Sequence, residues 1–254
     1  MSAFRWRPDR KRPNAKNAAA VARVATDTAA GVARILDAGQ TPFVIGGDCS
    51  ITVGVVAGFV RHGARPALLY VDGGPDLYTP GTRPNGNLDA MVLAHLLAIP
   101  GHVHEVAAIG PTVPLLTARD VVSYGHTLPE DDIERRLLDK LGITHLHADE
   151  VHADPMAAAE RARRSIEAAE APFVVHLDVD VLAFNDTPLA DVPDSGGDPV
   201  GLRLDELTAS LTVFAASPRF AGLVLTEINP DHAPDPEVLR HFLDAVSAAL
   251  KVDK

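Results

Sequence analysis

Two pairs of aspartates set the chemistry open to this sequence. Asp72 and Asp76 flank a Gly73-Gly74-Pro75 turn, and Asp178 and Asp180 stand two residues apart after the apolar run 173–177. Residues two apart on an extended chain project to the same side, so Asp178 and Asp180 are expected to share a face. Carboxylates brought together repel, and stripping them of water is costly unless a cation holds them. Hard divalent ions such as Mn²⁺ or Mg²⁺ prefer such oxygen ligands. The competing reading makes these aspartates helix caps and turn formers. It accounts for a single Asp-x-Asp more readily than for two acid pairs that each follow an apolar strand.

The elements that must position these acids are legible in the apolar pattern. Short runs at 42–45, 67–71, 173–177 and 222–226 read as strands, with further strands at 103–109, 121–124 and 144–148. Helical spacing covers 17–38, 50–61, 88–98, 131–141, 156–169, 204–216 and 236–250, while most of 110–129 reads as loop. Strands alternating with helices predict a three-layer αβα sandwich around a mainly parallel sheet. Asp48, Asp72, Asp178 and Glu227 each stand where an apolar strand ends. Ligands of open parallel sheets bind beyond those carboxyl ends.

The bulk properties narrow the class of protein. The 254 residues are 46% hydrophobic and 22% charged, enough for a sizeable core. A net charge of −11 argues against nucleic acid as a partner. The lone cysteine, Cys49, excludes a disulfide within the chain and fits a reducing compartment. Residues 1–12 are basic and contain prolines without an apolar core, unlike a signal peptide, and no apolar run reaches the ~20 residues of a membrane span. A cytoplasmic protein is expected, read as one domain over 1–254 with 1–16 as a flexible N-terminal extension.

Five segments together resemble the ureohydrolase (arginase, agmatinase and formiminoglutamase) family. Val44-Ile45-Gly46-Gly47-Asp48-Cys49-Ser50 resembles its Gly-Gly-Asp-His-Ser motif, and Val71-Asp72-Gly73-Gly74-Pro75-Asp76 its Asp-Ala-His-Ala-Asp motif. Asn85-Gly86-Asn87-Leu88-Asp89 is similar to the Ser-Gly-Asn-Leu-His segment. His176-Leu177-Asp178-Val179-Asp180 resembles Ser-Phe-Asp-x-Asp, and Thr226-Glu227-Ile228-Asn229-Pro230 resembles Glu-Val-Asn-Pro. The motifs come in the family's order.

The resemblance implies an arginase-like fold and one or two Mn²⁺ ions that activate a bridging hydroxide against a guanidinium-type carbon. Carried over by position, Asp72, Asp76, Asp178 and Asp180 become metal ligands. Asp48 orients its neighbour, and Glu227 pairs with the substrate's amidinium or guanidinium end. It also implies a guanidino or amidino substrate and a homo-oligomer.

The departures from the pattern bear on the same site. Cys49 stands where the family has a histidine ligand; it reads equally as a ligand, which would favour Zn²⁺, or as a small buried side chain. Gly74 stands at the second metal's only histidine and has no side chain. Asp89 replaces a histidine proton shuttle and is expected to have a low resting pKa. Residues 193–197 replace a threonine-containing loop. A weakened second metal position is expected, and a metal-free protein is the limiting case.

Other histidines are weighed as substitutes. His176 shares strand parity with Asp178 and Asp180, and is read as a buried residue satisfied by backbone in preference to a displaced ligand. His95 and His232 read as packing or surface residues, while His102 and His104 alternate at strand spacing before the polar end of their run. The family's first two strands are missing here, so the strand at 42–45 becomes a sheet edge, to be covered by N-terminal residues or a second subunit.

Three functions fit: a hydrolase of a C–N bond in a guanidino, amidino or formimino compound; a catalytically impaired relative that binds a ligand or partner; and a structural subunit of an active family member.

Overall fold

The computed structural model describes residues 9, 11–83, 85–190, 201–233 and 235–251. In chain order the elements are α1 (Ala18–Asp37), β1 (Phe43–Ile45), α2 (Ile51–His62), β2 (Ala67–Val71), α3 (Val92–Leu96) and α4 (His104–Ala107). Then follow β3 (Val121–His126), α5 (Ile133–Leu141), β4 (Thr144–His147), α6 (Ala148–Ala153) and α7 (Pro155–Glu167). The chain closes with β5 (Phe173–Asp178), α8 (Leu204–Ala215), β6 (Phe220–Thr226) and α9 (Pro236–Ala249).

The sheet is six-stranded in the order β1-β6-β5-β2-β3-β4, and every pairing is parallel. Every residue of β2 and β5 is buried, which is why both read as unbroken apolar runs: helices cover both of their faces. One apolar cluster joins one sheet face to residues of α6, α7, α8 and α9, and a second joins the other face to α1 through α5. The expected three layers are present.

Register aligns the acids. Val71 pairs with Leu177, so Asp72 and Asp178 leave neighbouring strands at one level. Asp178 itself pairs with Thr226, which places Glu227 beside them. Ile45 pairs with Leu225 and brings 46–49 to the same end. Cys49 then depends on how α2 is seated. A Cβ on Gly54 would lie 2.4 Å from the Ala25 carbonyl, and one on Gly58 would lie 2.7 Å from Val32. These two glycines let α1 and α2 approach at backbone contact and fix the loop that leads into α2.

Four local readings change. Within 103–109 the chain forms the short helix α4 instead of a strand, because Val103, Val106 and Ala107 bury at helical spacing. His102 and His104 therefore do not alternate on a strand. The helix expected over 88–98 is a 3₁₀ turn, Asp89–Met91, with a non-helical Ala90 inside it, followed by α3. The run 144–169 holds two helices where one was expected, since Asp154 caps a new start and Pro155 takes its first position. Strand β3 continues two residues past its expected end, to His126.

Strand β1 is a sheet edge, as expected, and among the described residues no strand pairs with its outer side. Phe43 is 53% and Ile45 72% exposed. Residues 11–17 run elsewhere: the Lys16 amide donates to the Gly86 carbonyl at 2.9 Å, and Arg12 pairs with Glu105.

Candidate metal centre

A cavity of about 360 Å³ opens beyond the carboxyl ends of the strands. Cys49, Asp72, Asp76, Asp89, Asp178, Asp180 and Glu227, the candidate residues from the sequence, all line it. Three of these lining residues form a buried group with His176: Cys49, Asp72, His176 and Asp178 each offer one ligand atom, and these atoms all lie within 4.8 Å of one another. Cys49 Sγ–H donates to Asp178 Oδ2 at 2.6 Å, and Thr226 Oγ1 lies 3.4 Å from the sulfur.

His176 corrects the sequence reading. It is fully buried, but side chains rather than backbone hold it. Its Nδ1 meets Thr52 Oγ1 at 2.8 Å and its Nε2 lies 3.3 Å from Asp72 Oδ2, while the ring stacks on Tyr70 at 4.1 Å. Burial lowers its pKa to about 3, so the imidazole is neutral and able to orient a carboxylate or to ligate.

Turns, more than strand alternation, bring the acid pairs together. Strand β5 ends at Asp178, and Asp180 lies in the 3₁₀ turn Val179–Val181. Asp178 Oδ1 accepts the Asp180 amide at 2.7 Å, and Asp180 Oδ1 accepts the Gly73 amide at 3.0 Å. A Cβ on Gly73 would stand 3.0 Å from the Asp180 carbonyl, a tight approach that glycine relieves. Asp72 Oδ1 accepts the Gly74 amide at 2.8 Å. Asp76 takes a φ of 50° with its carboxylate on the Tyr70 hydroxyl, and Glu227 takes a φ of 61° with its amide on the Gly47 carbonyl. Left-handed backbone costs a non-glycine residue about 1 kcal/mol or more, and such strain gathers at functional sites.

The electrostatics are those of buried, mutually repelling acids. Burial, then the neighbouring carboxylates, push Asp72 and Asp178 well above the usual carboxylate range, and burial raises Asp76 and Asp180 as well. Burial and Asp178 raise the Cys49 thiol. Asp89 is not the low-pKa acid expected: burial raises it, and its Oδ1 is buried without a hydrogen-bond partner. A bound cation inverts this logic for the groups that ligate it and favours their deprotonated form. The donor set, one sulfur, one ring nitrogen and carboxylate oxygens inside a 4.8 Å group, fits a divalent metal.

Asp48 stays outside the group. It is exposed and accepts the Ser50 amide at 3.0 Å, so it shapes the turn that presents Cys49. His95 is buried in α3, His102 bonds the Ile99 carbonyl, and His232 bonds the Ala190 carbonyl at 2.7 Å; none of the three lines the cavity. Residues 193–197 lie outside the described residues.

Sequence reading missed Glu134. It lines the cavity at 4% exposure, accepts the Leu77 amide on Oε1 at 2.6 Å, and is raised by burial to about 7. In the sequence it is an acid in the first turn of a helix behind its cap Asp132, a pattern that ordinary surface helices share.

Comparison with known proteins agrees with this geometry. The arginase of Brevibacillus brevis is 31% identical over 201 residues, which span 78% of this chain and 65% of that protein. Human arginase-1 is 28% identical over 239 residues, covering 92% of this chain and 73% of the relative. The chain thus spans about two thirds to three quarters of the length of these two relatives. The structure of Bacillus caldovelox arginase superposes with a TM-score of 0.86 at 26% identity, over 100% of this chain and 82% of that one. The family model described as "Arginase family" matches residues 11–246. With that match spanning nearly the whole chain, and with the acids gathered at the strand ends, this protein belongs to the arginase family.

Proposed function

We propose that this chain is a metal-dependent hydrolase of a C–N bond in a guanidino, amidino or formimino compound, and that Mn²⁺ is its metal. The observation that supports this most is the buried group of Cys49, Asp72, His176 and Asp178, whose ligand atoms lie within 4.8 Å of one another. Unpaired acids at such burial are costly without a cation. When bound, the metal supplies a deprotonated water at neutral pH and Lewis-acid stabilisation of developing charge.

The chain's own residues divide the remaining work. Cys49, Asp72, Asp76, Asp178 and Asp180 would hold the metal, with His176 behind Asp72 fixing that carboxylate. Glu227, in the cavity wall at a φ of 61°, would pair with a cationic amidinium or guanidinium end. Asp89, buried with an unpartnered oxygen, would hold a proton at Oδ1 and pass it to a leaving amine.

Metal content after purification, with Mn²⁺ and Zn²⁺ offered separately, tests the reading. Tight binding of at least one ion per chain is expected, and no bound metal under any loading sinks it. Urea release from a panel of guanidino compounds follows, with the neutral ureido analogues as the controls that Glu227 should reject. One observation favours a second reading: Gly74 has no side chain at the position of a family ligand. A metal-loaded protein with no turnover on any compound of the panel would point to a relative that binds without catalysis.

We also propose a cytoplasmic homo-oligomer in which a second subunit covers β1, because Phe43 and Ile45 present an apolar unpaired edge. Sedimentation should give a mass above the 26.9 kDa of one chain, and Ile45→Lys should lower it. A monomer at micromolar concentration excludes the assembly.

A further inference from the structure

We propose that Glu134 supplies the second metal position with the ligand that Gly74 lacks, so that a carboxylate from α5 replaces an imidazole from the loop after β2. This rests on the metal-dependent reading above.

The argument begins with the space beside Gly74. A Cβ built there would lie 4.0 Å from Asp72 Oδ1 and 4.0 Å from Glu134 Oε2, with nothing nearer. A side chain leaving position 74 would therefore enter the gap between those two oxygens, and Glu134 Oε2 already borders it. Gly74 is itself held in place, since its amide donates to Asp72 Oδ1 at 2.8 Å. The glycine thus leaves a defined gap between two carboxylates, at the position where the family places its ligand.

Glu134 is built to stay at that gap. Asp132 Oδ1 accepts the Glu134 amide at 2.7 Å and sets the first turn of α5. Glu134 Oε1 accepts the Leu77 amide at 2.6 Å, which fixes the carboxyl plane, and Tyr78 adds a side-chain hydrogen bond to the same group. The residue is 4% exposed and shares the cavity wall with Asp72, Asp76 and Asp180. A buried glutamate set among aspartates is costly without a compensating cation, and its surroundings here supply fixed donors on one side and the metal cavity on the other. The substitution also has a chemical consequence. Exchanging imidazole for carboxylate makes the second position an all-oxygen one, which suits Mn²⁺ or Mg²⁺ over Zn²⁺.

The experiment counts metal in the full chain. Wild type, Glu134→Gln, Gly74→His and the double variant are loaded with Mn²⁺, desalted and measured by elemental analysis. Electron paramagnetic resonance reports whether the ions form a coupled pair. Glutamine keeps the oxygen that accepts the Leu77 amide, and melting curves establish that each variant is folded. Two ions per chain and a coupled signal are expected for wild type. One ion is expected for Glu134→Gln, with second-site affinity down at least tenfold, the scale of losing even an outer-shell partner. Two ions should return in the double variant. Gly74→His alone, with Glu134 still in place, should leave the count at two. Two ions retained by folded Glu134→Gln overturns the inference, and so does a rise from one to two in Gly74→His. Neither result disturbs the metal-dependent reading, which only a wild type that binds no metal under any loading would remove.

Discussion

Asp178→Asn should empty the cavity of metal and cost at least a hundredfold in kcat/KM, while leaving the metal-free protein more stable than its parent. Asp178 engages the site through both carboxylate oxygens: its Oδ2 takes the Cys49 thiol, its Oδ1 takes the Asp180 amide, and both Asp180 and Glu227 act on it electrostatically. Partners one shell out from a metal already cost 10–100-fold when removed, so loss of a ligand central to the group should exceed that range. The stability change has the opposite sign. Asparagine keeps the oxygen that accepts the Asp180 amide, yet removes a carboxyl group that burial and its neighbours force far from its ordinary ionisation. Relief of about 1–3 kcal/mol is expected, or a few degrees in Tm for a chain of this size. Calorimetry of chelated protein and metal analysis of loaded protein give the two halves separately. A variant that keeps its metal, or melts well below the parent when metal-free, contradicts the role given to Asp178.

The metal-free protein should lose stability as pH rises from about 4 to 7, and Mn²⁺ should restore it most strongly at the upper end. The acids of the cavity hold their protons more tightly in the folded chain than in the unfolded one, because burial and mutual repulsion raise them. Above pH 4 the unfolded chain releases protons that the folded chain keeps. Folding then grows less favourable with each pH increment until the folded group also ionises. For Glu134 this window runs from its ordinary 4.5 to about 7, and it alone accounts for up to about 3 kcal/mol. A cation that binds only the folded, deprotonated cavity opposes this loss. At a hundredfold excess over Kd it contributes about 2.7 kcal/mol. Melting curves at pH 5 and pH 7.5, with chelator and with Mn²⁺, should show a metal-dependent rise at pH 7.5 several times that at pH 5. Metal-free curves that do not shift between the two values would show that the cavity acids are not strained by burial.

Both expectations depend on side chains that come together from distant parts of the chain, and the sequence discloses those parts unequally. The central strands were legible because burial on both faces leaves an unbroken apolar run, a property of consecutive residues. The acids were legible for the same reason: each ends such a run, and parallel strands bring their ends to one edge. The gathering of Asp72, Asp76, Asp178 and Asp180 at one cavity, and the exposed edge at β1, followed from local pattern and motif order. Short segments were less secure. The four residues of α4 are too few for either period to declare itself, and packing decided them, whereas the split of α6 from α7 carried a local signal in Asp154 and Pro155.

The tertiary structure alone decided the partners. The parity of His176 suggested a face but not an occupant. Only the pairing of β5 with β2 sets its imidazole against Asp72, 104 residues away in sequence, and only the seating of α2 brings Thr52 to its other nitrogen. Glu134 is the extreme case. Its local sequence is that of an ordinary capped surface helix, yet α5 packs so that this carboxylate meets the Leu77 amide 57 residues earlier and borders the space beside Gly74. The sequence by itself therefore determined which acids would meet at the strand ends and that position 74 among them carried no side chain. Whether anything fills that position was decided by the docking of one helix, because a contact between distant segments leaves no periodic trace in either of them.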